Sequence, residues 1–93
     1  DNPAAAEAGL KKPPVESYKM LYADTALGEV APTRCGPAFF GTSQCVFATD
    51  APFDMEDGRY LTRNTIAAVN ALDISQAEKD AIFSGNARKL LRL

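Results

Sequence analysis

Two aspartates hold the positions in this chain best suited to chemistry. Asp24 ends the apolar run at residues 18–23, and Asp50 ends a second run at residues 44–49. Neither run alternates cleanly between apolar and polar residues. Continuous apolar character belongs to strands covered on both faces, as in a parallel sheet. In parallel α/β folds the active site gathers at the carboxyl ends of the strands, where loops converge and helix N-termini point. An aspartate there can ligate a metal, or orient a water and accept its proton. It can equally cap the helix that follows. Asp24, followed at once by Thr25, fits the capping role. For Asp50 the two roles stand even on spacing alone. Ala51-Pro52 stiffens the exit from the strand, and the next helical pattern starts only several residues later, which weakens the capping role.

Other side chains carry less. Asp54-Met55-Glu56-Asp57-Gly58 invites comparison with a calcium loop, but its glycine comes one position early and the required glutamate position is Thr65. It reads as a solvated loop bordering a cleft. Arg59 and Arg63, four apart at a helix start, have the spacing of a carboxylate clamp, although a solvent-facing pair is the simpler expectation. Cys35 and Cys45 are too few and too irregular for a disulfide framework or a metal knuckle. They read as small buried hydrophobes in a reducing compartment. The chain contains no histidine, the commonest metal ligand and the usual neutral-pH acid or base. A self-contained zinc hydrolase or Ser-His-Asp site is therefore not expected. Nor is there a G-x-S-x-G elbow, a glycine-rich phosphate loop or a heptad pattern.

The elements that must position the aspartates follow from periodicity. The interval from Asp24 to Asp50 suits a βαβ unit of about 30 residues. Val30, Ala31, Cys35, Ala38, Phe39 and Phe40 mark a crossover helix over Val30–Phe40, with Gly41 as its stop. Pro32 fits near the helix start, whereas Pro37 predicts a kink or a break. Beyond a polar loop at residues 51–58, Tyr60, Leu61, Ile66, Val69 and Leu72 recur at helical spacing. Ser75-Gln76-Ala77-Glu78 has the form of a capping box, opening a short helix with Ala81, Ile82 and Phe83 on its apolar side. Ser84-Gly85-Asn86 predicts a break. Residues 86–93 then form a last helix, with Leu90, Leu91 and Leu93 inward and Arg88, Lys89 and Arg92 suited to its dipole. Residues 1–14, with three prolines, read as a connecting segment, and residues 15–93 as the folded part. The resulting order leaves two doubly apolar strands with one crossover helix, a helical tail and unpaired edges. Such a sheet requires more strands.

Composition narrows the function classes. The 93 residues are 46% apolar and 24% charged, which is globular rather than disordered. A net charge of -2 offers no basic patch for nucleic acid or an anionic membrane. No apolar run approaches the ~20 residues that span a bilayer. The opening DNPAAAEAGLKK is acidic before it is apolar, unlike a signal peptide. A cytoplasmic location is the expectation.

The motifs together resemble a known family. Tyr22-Ala23-Asp24-Thr25-Ala26, then Cys35-Gly36-Pro37-Ala38-Phe39-Phe40-Gly41, then Val46-Phe47-Ala48-Thr49-Asp50-Ala51-Pro52-Phe53-Asp54 resemble the last two strands of an amidohydrolase-related (β/α)8 TIM barrel. The subgroup is that of the aminocarboxymuconate-semialdehyde decarboxylase and γ-resorcylate decarboxylase enzymes. The tail Ile82-Phe83-Ser84-Gly85-Asn86-Ala87-Arg88-Lys89-Leu90-Leu91 is similar to that group's carboxyl-terminal signature. Gly36-Pro37-Ala38 departs from the pattern, which usually has an acidic residue there and no proline.

The resemblance implies an α/β fold: the last two βα units and carboxyl-terminal helices of a TIM barrel, or about a third of its roughly 250 residues. It implies that Asp50 ends the eighth strand, binds or adjoins a divalent metal (zinc or manganese), and helps activate water or substrate. The other ligands, mostly histidines, would come from earlier strands outside this chain. Asp24 becomes a supporting candidate behind the metal, and Phe53 a candidate lining the cleft. The implied activity is metal-dependent hydrolysis or non-oxidative decarboxylation of a small carboxylated or amide-like substrate, with the isolated 93 residues inactive. The implied partners are the remainder of the barrel, as a companion chain or a preceding segment, and further copies in a homo-oligomer. The rival expectation is a stand-alone, non-catalytic α/β module that binds a protein partner through an exposed strand edge.

Overall fold

A computed structural model describes residues 14–93, so the connecting segment expected at residues 1–14 lies outside the described residues except for Pro14. Pro14 opens α1 (Pro14–Tyr18), a position where its missing N–H would have no helical partner anyway. β1 (Ala23–Asp24) and β2 (Cys45–Val46) pair in parallel, with Ala23 opposite Cys45 and Asp24 opposite Val46. Both strands are shorter than their apolar runs. Tyr18 closes α1 and the chain turns through Lys19 and Met20 before reaching β1, so residues 18–23 are not one strand. The reason is visible in Gln44, whose Nε2 donates to Lys19 O at 2.6 Å and Leu21 O at 2.7 Å. A side chain holds those carbonyls where a ladder would otherwise do so.

α2 (Val30–Phe40) has the expected bounds and ends at Gly41, where φ is +86° and the N–H donates to Pro37 O. Pro37 neither divides nor ends it. A proline removes one backbone bond, and packing on the sheet keeps the helix continuous across that gap. Gly36 faces the sheet: a Cβ on it would sit 3.6 Å from both Ala23 Cβ and Cys45 Sγ. Cys45 is buried in the core, and burial raises its thiol pKa. Cys35, the residue of α2 before Gly36, is exposed, contrary to the expectation of two buried thiols.

α3 (Arg59–Asn70) buries Thr65, Ala68 and Val69, the spacing of one helical stripe. α4 (Gln76–Asp80) begins with the expected capping box. Ser75 Oγ accepts from Glu78 N at 3.1 Å, and Glu78 Oε1 accepts from Ser75 N at 3.2 Å. The expected break at Ser84-Gly85-Asn86 is instead a π turn, Ala81–Gly85, leading directly into α5 (Asn86–Leu90). Asn86 N donates to Ala81 O five residues back, so the wider turn retains backbone bonding where Gly85 weakens the helix. The terminal leucines Leu90, Leu91 and Leu93 are exposed rather than inward, because no described element lies against them.

The core joins Cys45, Val69, Leu72 and Ile82, flanked by Ala23, Phe47, Ile74 and Phe83. The Phe47 and Phe83 rings meet at a tilt of 53°, with centroids 5.2 Å apart. Burying a side chain such as Ile82 contributes roughly 2 kcal/mol. Side chains alternate along a strand, and Ala23, Cys45 and Phe47 all come from one alternate set. Tyr22 and Asp24, from the other set, are exposed. The helices thus cover one face of the sheet. No helix among the described residues is long and apolar enough to cross a membrane.

Candidate active site

The carboxyl edge of the sheet is built by threonines. The ladder ends at Asp24 and Val46, and beyond it the Thr25 hydroxyl takes over. Thr25 Oγ1 donates to Ala48 O at 2.9 Å and accepts from Ala48 N at 3.0 Å. Thr49 continues the fixing: its Oγ1 accepts from Ala51 N at 3.3 Å and from the Thr62 hydroxyl of α3 at 3.4 Å. Asp50 lies between these anchors with φ of +62°, a left-handed conformation that aspartate tolerates better than most residues. Phe53 N donates to Asp50 O at 3.1 Å, closing the turn that follows. Gly58 packs beneath it with φ of +93°, where a Cβ would stand 2.8 Å from Ala51 Cβ and 3.1 Å from Pro52 Cα. Only glycine fits this contact without moving the turn that carries Asp50.

The two aspartates have different fates. Asp24 Oδ1 accepts from Ala26 N at 2.9 Å, a local turn rather than the helix cap expected, since α2 starts only at Val30. The register sets Asp24 opposite Val46, four residues before Asp50, so the strands do not bring the two carboxylates side by side. Asp50 is exposed, and its carboxylate has no hydrogen bond or ion pair among the described residues. Phe53, three residues on, is 77% exposed, so its ring borders the same open edge.

Asp54 does the capping that leaves Asp50 free. Its carboxylate accepts from three backbone amides, Leu61 N at 2.9 Å, Glu56 N at 2.6 Å and Gly58 N at 3.0 Å. The bond from Leu61, the third residue of α3, is the main cause holding its pKa below the ordinary carboxylate value, helped by the Glu56 and Gly58 amides and Arg63 against some desolvation. Reading residues 54–58 as a solvated loop overlooked this; the available signal was an aspartate close before a helix start, with glycine between. A depressed folded-state pKa gives stability that is present above the unfolded value of about 3.9 and lost as pH falls through the folded one. Asp54→Asn is therefore expected to lower the melting temperature at neutral pH and to flatten its decline in acid. Thermal melts between about pH 2 and 7 check this; parallel profiles for the two proteins would refute it.

The two arginines are largely engaged. Arg63 Nη2 pairs with Glu56 Oε2 at 3.0 Å and lies over the Tyr60 ring, and Arg59 Nε donates to Glu56 O at 3.1 Å. They rim an open depression of about 540 Å³ with Ala51, Thr62 and Ile66, a lining that does not include Asp50. No group of three or more His, Cys, Asp or Glu side chains is placed to hold a metal ion among the described residues. The donor set fits one corner of a metal centre: the exposed Asp50 carboxylate, four residues beyond the end of β2 at Val46, is suited to a hard or borderline divalent ion.

Comparison with protein families matches residues 13–93 to a model described as amidohydrolase. Comparisons with curated proteins and with solved structures return no match. The family is one of TIM barrels, and its superfamily generally uses divalent metals. With the match running from residue 13 to the last residue of the chain, the protein belongs to the amidohydrolase family.

Proposed function

We propose that this chain supplies the last two βα units and carboxyl-terminal helices of a metal-dependent TIM-barrel enzyme. It would be a hydrolase or a non-oxidative decarboxylase of the aminocarboxymuconate-semialdehyde and γ-resorcylate decarboxylase kind. Its substrate is a small carboxylated or amide-like molecule. The remaining strands lie on another part of the polypeptide or on a companion chain, and the complete enzyme assembles as a homo-oligomer.

The observation that carries this reading is the Asp50 carboxylate, exposed beyond the carboxyl edge of a parallel pair, without a partner among the described residues, and relieved of capping by Asp54. A sheet of two short strands, with no further strand on its outer edges among the described residues, supports the presence of further strands beside it. Asp50 would donate one carboxylate oxygen to a zinc or manganese ion whose other ligands stand on those strands. When bound, such an ion polarises a carbonyl or carboxylate and acidifies water. Asp50 itself orients the water or substrate and accepts a proton on its free oxygen. Phe53 restricts the approach from one side, and Asp24 supports the site through the turn it closes with Ala26.

Metal removal tests the reading. Stripping the complete protein with a chelator is expected to reduce turnover of amide or aromatic carboxylate substrates at least about 100-fold. Adding back zinc or manganese should restore it. Full turnover by the stripped protein would overturn the proposal.

A further inference from the structure

We infer that Thr25 is a positioning residue for Asp50, an inference that rests on the proposed role of Asp50. Thr25 is 2% exposed and uses its hydroxyl twice, donating to Ala48 O and accepting from Ala48 N. A hydroxyl has one donor and two acceptor sites, so one side chain occupies both backbone polar groups of Ala48. It thereby extends the coupling of the two strands past the end of the backbone ladder at Asp24 and Val46. Ala48 stands two residues before Asp50. Because the Asp50 carboxylate has no partner among the described residues, the backbone on either side is what fixes where its Cα–Cβ bond starts and points. Thr25 and the Thr49–Thr62 contact fix the approaching side, and Gly58, packed against Ala51 and Pro52, fixes the departing side. A metal-binding oxygen must be held within about 0.5 Å of its working position. Residues that hold a ligand in this way commonly change metal affinity by 10–100-fold when lost.

Valine and serine separate the hydroxyl from the shape of the side chain. Thr25→Val keeps the branched form and loses both bonds, whereas Thr25→Ser keeps both bonds and loses a methyl group. The test uses the complete protein and zinc alone, with affinity read by competition against a chromophoric chelator. Thr25→Val is expected to bind zinc at least about 10-fold more weakly, with faster amide exchange at Ala48, while Thr25→Ser stays within about threefold of the parent. If the valine variant does not fold, Thr25→Ala removes the same hydroxyl and is expected to match that loss. Parental affinity in the valine or alanine variant, or an equal fall in the serine variant, would overturn the inference. Asp50→Asn run beside them tells its failure from that of the reading beneath it. Undiminished zinc binding by Asp50→Asn removes Asp50 from the site, whereas weakened binding there with Thr25→Val unchanged removes only Thr25.

Discussion

Asp50→Asn in the complete protein is expected to lower turnover at least about 100-fold and to deplete the bound divalent ion. The substitution keeps the shape of the side chain and removes its charge and its ability to accept a proton. Stability should barely change, within about 0.5 kcal/mol, for two reasons. The Asp50 carboxylate has no partner to lose among the described residues, and asparagine accepts a φ of +62° as readily as aspartate does. Asp54→Asn should show the converse, a weakened fold with the ion retained, because its carboxylate is bound to three backbone amides and does no other work. Metal content, steady-state turnover and thermal melts on the two variants check this crossed pattern. Unchanged metal content and turnover in Asp50→Asn would remove Asp50 from the site.

Local chemistry was readable where it acts within a few residues. The bounds of α2 follow from its apolar spacing and Gly41, and the Ser75–Glu78 capping box follows from residue types three apart. Readings that assumed tertiary neighbours did worse. The run at residues 18–23 has strand composition, yet only Ala23 joins the ladder, and the distant Gln44 amide holds the Lys19 and Leu21 carbonyls. Leu90, Leu91 and Leu93 have core composition, yet no element among the described residues covers them. At the proposed site, Asp50 was visible in the sequence from its place after the apolar run at residues 44–49. The division of labour between Asp50 and Asp54 was not, because it depends on where the first amides of α3 point. Thr25 was passed over because a threonine after a strand has many local uses, and its partner Ala48 is remote in sequence.

Asn86 supplies the second large effect, since the Gly85-Asn86-Ala87 signature proves to be a clamp between distant segments. Asn86 is 8% exposed, and its Nδ2 donates to Thr42 O at 2.6 Å and Cys45 O at 2.8 Å. One amide group therefore ties the carboxyl-terminal helical run to the entry of β2. Glu78 strengthens the same junction by accepting from the Thr42 hydroxyl at 2.8 Å. Thr42, ahead of the Ser75 donors, keeps the Glu78 pKa below its ordinary value. Asn86→Ala leaves two carbonyls without their donor and is expected to cost about 2–4 kcal/mol, as orphaned buried acceptors and a small void do. Asn86→Asp should be at least as damaging at neutral pH, because its carboxylate would face two carbonyl oxygens. That environment raises the pKa of the new carboxyl group, so the penalty should shrink as acid protonates it and restores one donor. Denaturant melts of the parent and both variants near pH 8 and pH 5 decide the matter, these values bracketing the range in which a raised aspartate titrates, roughly 5–8. A uniform loss for the aspartate variant at both pH values, or an alanine variant as stable as the parent, would show that the Asn86 amide does not hold this junction together.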